Sequence, residues 1–526
     1  MFASPRTSSP ASGEVVEIEP LSLLADGFSV VLEPENLLFV FLGVTIGTVI
    51  GVLPGLGPTA TIALLLPITY SISPEAAIMM LAGVYYGSMY GGTITSVLLR
   101  IPGEAASAVT AIDGYEMTRQ GRGGPALGIA AIGSFIGGTF AILGLAFVAP
   151  LLAAWALRFG PPEYAALTIL GLVLVTYLGT RSTLKSVIAA LLGLLLAVVG
   201  PDPIMGTSRY SFGIPEMFSG IDLVAIAMGL FGIGEIMYNL EQRLTSSGTI
   251  GEINGIIPTR ADWNQSRGAI ARGTLLGFPI GMLPGGGGVM SSLASYATEK
   301  KLAKDPSRFG RGAIEGVAGP ETANNASSIS AFIPLLTLGL PSNAVLALIL
   351  GALMMQDITP GPNLIVEHPE LFWGVIASMF IGNAILLALN LPFVGIFVQL
   401  LRVRIGIIGG IALLVTLIGV YTINYTEFDM WVMLAAGLVG YLMRKTGFEP
   451  APLVLAFVLG SVMEVAFRQS MLLSGGSLSI FFSRPIAASI IAVMGLVVLS
   501  SVVGAIRHHR GRKGGFIDMT KQLAED

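Results

Sequence analysis

Long apolar runs alternate with short polar connectors along nearly the whole chain. A membrane-crossing helix needs roughly 20 mostly apolar residues. Runs near that length fall at 37–53, 75–99, 125–148, 164–180, 184–200, 221–240, 270–283, 327–356, 371–394, 405–423, 429–443, 450–467 and 485–506. They predict an all-α polytopic membrane protein with about twelve transmembrane helices. Two runs end in the same kind of break. The first is Gly51-Val52-Leu53-Pro54-Gly55-Leu56-Gly57-Pro58-Thr59 and the second is Gly281-Met282-Leu283-Pro284-Gly285-Gly286-Gly287-Gly288. Neither can be continuous helix, because proline removes a backbone donor and each glycine relaxes the φ/ψ limits. Broken or re-entrant half-helices should follow, at 59–70 and 289–299. Gly55 and Gly285 stand 230 residues apart. Paired breaks in corresponding halves point to two inverted structural repeats with a binding site between them.

Composition agrees. Of 526 residues, 53% are hydrophobic and 11% charged, against roughly 25% charged in soluble domains. Mean hydropathy is +0.80. A net charge of −4, with no basic patch carrying interleaved aromatics, argues against nucleic acid as a partner. Cysteine is absent, which excludes disulfides, thiolate metal sites and cysteine nucleophiles. His508 and His509 sit in a basic tail and leave only His368 elsewhere, so no histidine-based catalytic centre is expected. No enzyme constellation is visible.

The expected organisation has five parts. Residues 1–36 form an acidic leader lacking the basic start and apolar core of a signal peptide; 21–32 suits a short interfacial helix. Residues 37–240 form the first membrane repeat and 241–269 a polar connector. Residues 270–506 hold the second repeat and C-terminal helices, and 507–526 a basic tail. Arg402 and Arg404, then Arg444 and Lys445, then Arg507, Arg510, Arg512 and Lys513 recur two spans apart. All three clusters therefore share one side, expected to be the cytoplasm. Arg468 and Arg484 fall on the other side and weaken the pattern.

Each break is followed by a polar constellation in apolar surroundings. The first carries Thr93, Thr95, Ser96, Glu104, Ser107 and Thr110; the second carries Glu321, Asn324, Asn325, Ser342 and Asn343. Small and hydroxyl side chains commonly serve helix packing in membranes, and an Asn pair can simply bridge helices. Next to a helix break they also suit a polar cavity. Neither glycine run is a P-loop, since no Lys-Ser or Lys-Thr follows. Helix N-termini facing a cavity instead offer unpaired N–H groups that favour an anion, especially a carboxylate. The expected substrate residues are Gly55, Leu56, Gly57, Pro58 and Thr59, then Gly285, Gly286, Gly287 and Gly288, with Ser107 and Asn324 as side-chain donors. No Arg or Lys lies inside either break, so neutral donors should do most of this work. Na⁺ is the expected coupling ion, held by oxygens of Thr93, Asn325 and Asn343, because hard cations take oxygen ligands.

The chain resembles the large membrane subunit of the tripartite tricarboxylate transporter family. The resemblance covers about residues 30–500. It rests on the 51–59 break, Tyr-Tyr-Gly-Ser-Met-Tyr-Gly-Gly at 85–92, Ile-Pro-Gly-Glu-Ala-Ala-Ser at 101–107 and Ala-Ile-Asp-Gly-Tyr at 111–115. Gly-Val-Ala-Gly-Pro-Glu-Thr-Ala-Asn-Asn-Ala at 316–326 and Pro-Gly-Pro at 360–362 complete it. It implies a secondary carrier of the bacterial inner membrane that takes up citrate-like or aromatic carboxylates by cation symport. It also implies a small four-span membrane subunit and a periplasmic solute-binding protein as partners; a homodimer is compatible. The four-glycine run 285–288 and Pro341-Ser342-Asn343 depart from the family pattern, so substrate fit can differ from citrate. An anion channel or a carrier independent of a binding protein remains the alternative.

Overall fold

A computed structural model describes residues 20–53, 57–177, 182–241, 255–400 and 405–509. Gly55 and Leu56 of the expected site, and Arg402, Arg404, Arg510, Arg512 and Lys513, lie outside the described residues. The described chain is almost wholly α-helical, with one two-stranded ribbon, Gly200–Pro201 paired with Ser208–Arg209. Among the described residues five helices are long and apolar enough to cross a membrane: Pro34–Val52, Gly123–Ala156, Leu223–Glu241, Pro369–Asn390 and Ala451–Leu473. Helices that adjoin a Pro- or Gly-rich break, such as Pro58–Thr69 and Ala344–Met355, are shorter. The expected run 327–356 is divided into Glu315–Ser330, Phe332–Leu338 and Ala344–Met355. The polar stretch before residue 270 is not all connector, since the helix Arg260–Gly281 starts within it on a Thr259–Asp262 capping box. Ahead of the first repeat, the helix Pro20–Val31 packs against Pro369–Asn390, with Gly27 against the Trp373 carbonyl.

Glycine spacing sets the repeat. Gly43, Gly47 and Gly51, four residues apart, press Pro34–Val52 onto the Met80, Val84 and Ser88 carbonyls of Pro74–Leu99. In the second half Gly273, Gly277 and Gly281 press Arg260–Gly281 onto the Gly319, Ala323 and Ser327 carbonyls. Any Cβ at these positions would collide with backbone, and such close approach is what small residues at membrane helix interfaces provide. Each glycine sits 230 residues from its counterpart, the spacing of Gly55 and Gly285.

In both pairs the contacts advance together along the two helices, so the paired helices run parallel. The half-helix between them must therefore double back. Pro58–Thr69 does this in the first repeat and Gly287–Leu302 in the second, where Arg272 on the ingoing arm meets Glu299 on the returning one.

The two hairpins enter from opposite faces. The first begins on the face where Gln356 donates to the Thr69 carbonyl. The second begins on the face where Asp113 accepts from the backbone of Gly310, Gly312 and Ala313, and where Arg122 pairs with Asp262. The repeats are thus inverted. The second face carries Arg444–Glu235 and Lys445–Glu241. The first carries Arg484–Glu163 and an Asp202–Arg468–Glu464–Arg209 network. Arg468 and Arg484 are thus paired with acids on the first face, as Arg444 and Lys445 are on the second.

Candidate functional site

Both hairpin tips open into one cavity of about 540 Å³. Gly57, Pro58 and Thr59 line it from the first half, and Gly285, Gly286, Gly287 and Gly288 from the second. The tips touch other breaks in turn: the Gly285 N–H donates to the Ser342 carbonyl at 2.8 Å. No side chain caps the N-terminus of Pro58–Thr69 or of Gly287–Leu302. Their first-turn N–H groups therefore carry unspent donor capacity and the positive end of each helix dipole. A Cβ at Gly57 would meet nothing within 4 Å, and Gly57 has an ordinary φ of −76°. Openness there serves the cavity rather than the backbone. Gly287, at φ +39°, is a position where glycine is required by conformation.

The segment 100–107 closes one wall. It is held tightly because Gly103 abuts the Gly51 carbonyl and Gly92. That places Pro102, Gly103, Glu104 and Ala105 on the cavity. Glu104 Oε2 accepts from the Ala106 N–H at 2.7 Å, and Oε1 from Asn324 Nδ2 at 3.1 Å. Asn324 is fully buried behind the wall, and its Oδ1 has no partner. Ser107 lies behind Glu104 as well. Its Oγ donates to the Glu104 carbonyl and accepts from Ser96, so it is spent within its own turn.

The three expected cation residues do not converge. Asn343 lines the cavity, donates to the Tyr85 hydroxyl at 3.0 Å, and uses Oδ1 to cap Ala344–Met355. Thr93 and Asn325 sit deeper. Thr93 donates to Glu321 Oε2 at 2.7 Å, and Thr110 to Oε1. Asn325 donates to Ser134 at 2.7 Å and thereby ties Glu315–Ser330 to Gly123–Ala156. Glu321 is thus clasped by hydroxyls of the other repeat, and among the described residues no Lys, Arg or His pairs with it. In the sequence Glu321 is one member of the polar constellation after the second break, with no partner indicated.

The residue missed most plainly is Arg444. In the sequence it marks only sidedness, yet in the fold it lines the cavity with Glu235 and Glu449. Arg444 Nη2 meets Glu235 Oε2 at 2.9 Å, while its buried Nε has no partner. Arg444 belongs to the last turn of Glu427–Lys445, where a cation suits the helix dipole. Glu235 follows the π-helical turn Met228–Ile233. The two meet across 209 residues of sequence, so no local pattern announces the pair.

The family model for the tripartite tricarboxylate transporter TctA family matches residues 37–455. The chain is 48% identical to an Agrobacterium vitis protein described as an uncharacterized 52.8 kDa protein in the TAR-I ttuC' 3' region. That match covers 94% of this chain and 98% of the relative. A second A. vitis protein, from the TAR-II ttuC' 3' region, is 48% identical over 44% of this chain and 96% of its own length. An uncharacterized protein of Methanocaldococcus jannaschii is 28% identical over 39% of this chain and 49% of the relative. No solved structure matches the chain.

Proposed function

The chain belongs to the tripartite tricarboxylate transporter TctA family, and from that premise we propose that it is the large permease subunit of a secondary carrier. Its substrates are di- or tricarboxylates, imported by cation symport. It works with a small four-span membrane subunit and a periplasmic solute-binding protein in the bacterial inner membrane. The basic face and the C-terminus are cytoplasmic. The observation that supports this reading best is the shared cavity, where two uncapped helix N-termini from inverted repeats meet. Such ends bind anions through backbone N–H groups and dipole. A site at a repeat interface also suits alternating access. Arg444 adds a guanidinium at the end of the cavity nearest the basic face, so a second carboxylate has a charged donor within the same space.

The test is uptake of labelled citrate and of shorter dicarboxylates into proteoliposomes. These would hold the chain with its small subunit, and the solute-binding protein would be supplied outside. Uptake should require the binding protein and an inward cation gradient. Gly57→Val should reach the membrane normally, because its side chain enters open space, and should abolish uptake. Wild-type rate and affinity in Gly57→Val would place the site elsewhere.

A further inference from the structure

Glu104 conflicts with its surroundings. It lines the cavity beside both hairpin tips, where an anionic substrate is proposed to sit. Among the described residues no Arg or Lys pairs with it; its oxygens take only the Ala106 N–H and the Asn324 amide. The other ionisable groups facing the cavity do not relieve it. Arg444 is engaged by Glu235, and Glu449 has an interaction of its own. Tyr85 bonds Asn343, and Glu321, on the helix behind, adds a further carboxyl. A carboxylate substrate entering here meets a like charge at low dielectric. The conflict disappears only when a positive charge arrives at Glu104.

A second, independent feature shows where that charge would be received. Asn324 must turn its amide N–H to Glu104, which leaves Oδ1 aimed at the second tip. There it touches the Gly288 backbone, where a Cβ would overlap it. This oxygen is fully buried and unpaired. Ser342 Oγ, on the cavity wall, is likewise buried without a partner. Oxygen donors without competing nitrogen or sulfur are what a hard monovalent cation prefers.

Resting on the carboxylate reading above, we propose that Glu104 and Asn324 Oδ1 form the seat of the monovalent cation, Na⁺ or a proton, that loads with the anionic substrate. The cation neutralises Glu104 and so opens the adjoining tips to a carboxylate. Each half contributes one member: Glu104 comes from the first repeat and Asn324 from the second. The seat is therefore complete only while the two repeats are apposed, which couples ion binding to the arrangement of the site.

The cation alone is a sufficient probe. The thermal unfolding midpoint of the purified full chain is measured with NaCl or choline chloride at constant ionic strength, from pH 6 to 8. With Na⁺ as the ion, the wild type is stabilised by Na⁺ and not by choline. Glu104→Gln then weakens apparent Na⁺ affinity by more than the about 10–100-fold that outer partners of a metal site are worth. With a proton as the ion, the wild-type midpoint varies with pH but not with Na⁺, and Glu104→Gln reduces that variation. Glu104→Asp, which keeps the charge, should restore part of the response, and Glu321→Gln should leave the Na⁺ response intact. The proposal is overturned by a wild type that responds to neither ion, or by a Glu104→Gln variant that responds as the wild type does. Citrate plays no part in this measurement. A cation response in a protein that transports no carboxylate would sink the substrate reading and leave the seat standing.

Discussion

The helix pairs of the two repeats are nearly interchangeable, while the tips they carry are not. Gly43, Gly47 and Gly51 reproduce Gly273, Gly277 and Gly281 in spacing and in what they touch, a carbonyl of the partner helix each time. At the cavity the symmetry ends. The first half presents an acid, Glu104, on a segment pinned by Gly103. The second presents four glycines, Ser342 and Asn343, with Asn324 behind them. Backbone packing has to be repeated for the halves to fold alike and face opposite ways. Chemistry does not, because one ligand lying across a pseudo-symmetric site meets a different tip at each end. The inverted repeat thus supplies a scaffold, and function resides in the departures from it.

The largest expected effects probe what the halves share. Gly47→Val and Gly277→Val each drive a side chain into a neighbouring carbonyl. Overpacking of this kind costs roughly 1–3 kcal/mol or more. Both variants should be lost from membranes or should elute as aggregates in size-exclusion chromatography, and to similar degrees. A tolerated change in one half alone would break the equivalence.

Next come effects that separate the two acids. Glu321 is buried and depends on Thr93 and Thr110. Thr93→Val should lower the unfolding midpoint, since stranding a buried acceptor costs about 1–3 kcal/mol. Thr93→Val combined with Glu321→Leu should recover most of that loss. Glu104→Gln, which keeps a side chain of the same size on a cavity wall, should change the midpoint in choline buffer far less than Thr93→Val does.

A smaller effect belongs to the Arg444–Glu235 pair, whose side chains are 25% and 14% exposed. Removing one partner leaves the other charge poorly solvated. Arg444→Gln and Glu235→Gln should each destabilise by about 1–2 kcal/mol, and the double variant by less than their sum. Strict additivity in urea or thermal unfolding would show that the pair is not coupled. Uptake should fall in Arg444→Gln more for a dicarboxylate than for its monoamide.

The smallest effect lies on the opposite face. Arg468 donates to Asp202, and the Ile204 and Met205 N–H groups join it. Together they hold the Asp202 carboxyl well below its usual range, the Arg468 bond most of all. A lowered folded-state pKa stabilises above the unfolded value near 4 and is lost as pH falls through the folded one. Proteolysis of the 198–222 connection should therefore speed up in wild type as pH drops below about 4. Asp202→Asn should already be faster at neutral pH and should respond less to acid.

Much of this was legible from the chain. The breaks, the half-helices after them and the 230-residue spacing all follow from local rules about Pro, Gly and apolar length. The chemistry was legible only in part. Thr93 and Asn325 are expected cation ligands because hard cations take oxygen donors; in the fold Thr93 bonds Glu321 and Asn325 bonds Ser134. Ser107 sits in the expected motif but faces its own turn. Arg444 and Glu235 are each unremarkable span-end residues until the fold joins them at the cavity. Pairings across some 200 residues leave no periodic trace, so which polar groups are spent and which are free appears only in three dimensions.

The central claim is that the transported carboxylate sits between the hairpin tips, and the absence of cysteine makes it directly testable. Gly57→Cys places a single thiol in the open space of the cavity. Leu184→Cys places one on an exposed surface, where Leu184 is 69% exposed. The rate of labelling by a small maleimide is measured with and without the carboxylate that the carrier takes up, in the presence of the coupling cation. The account predicts that the ligand slows labelling of Gly57→Cys in step with its occupancy and leaves Leu184→Cys unchanged. A carboxylate that is transported by Gly57→Cys at saturating concentration without slowing its labelling would contradict it.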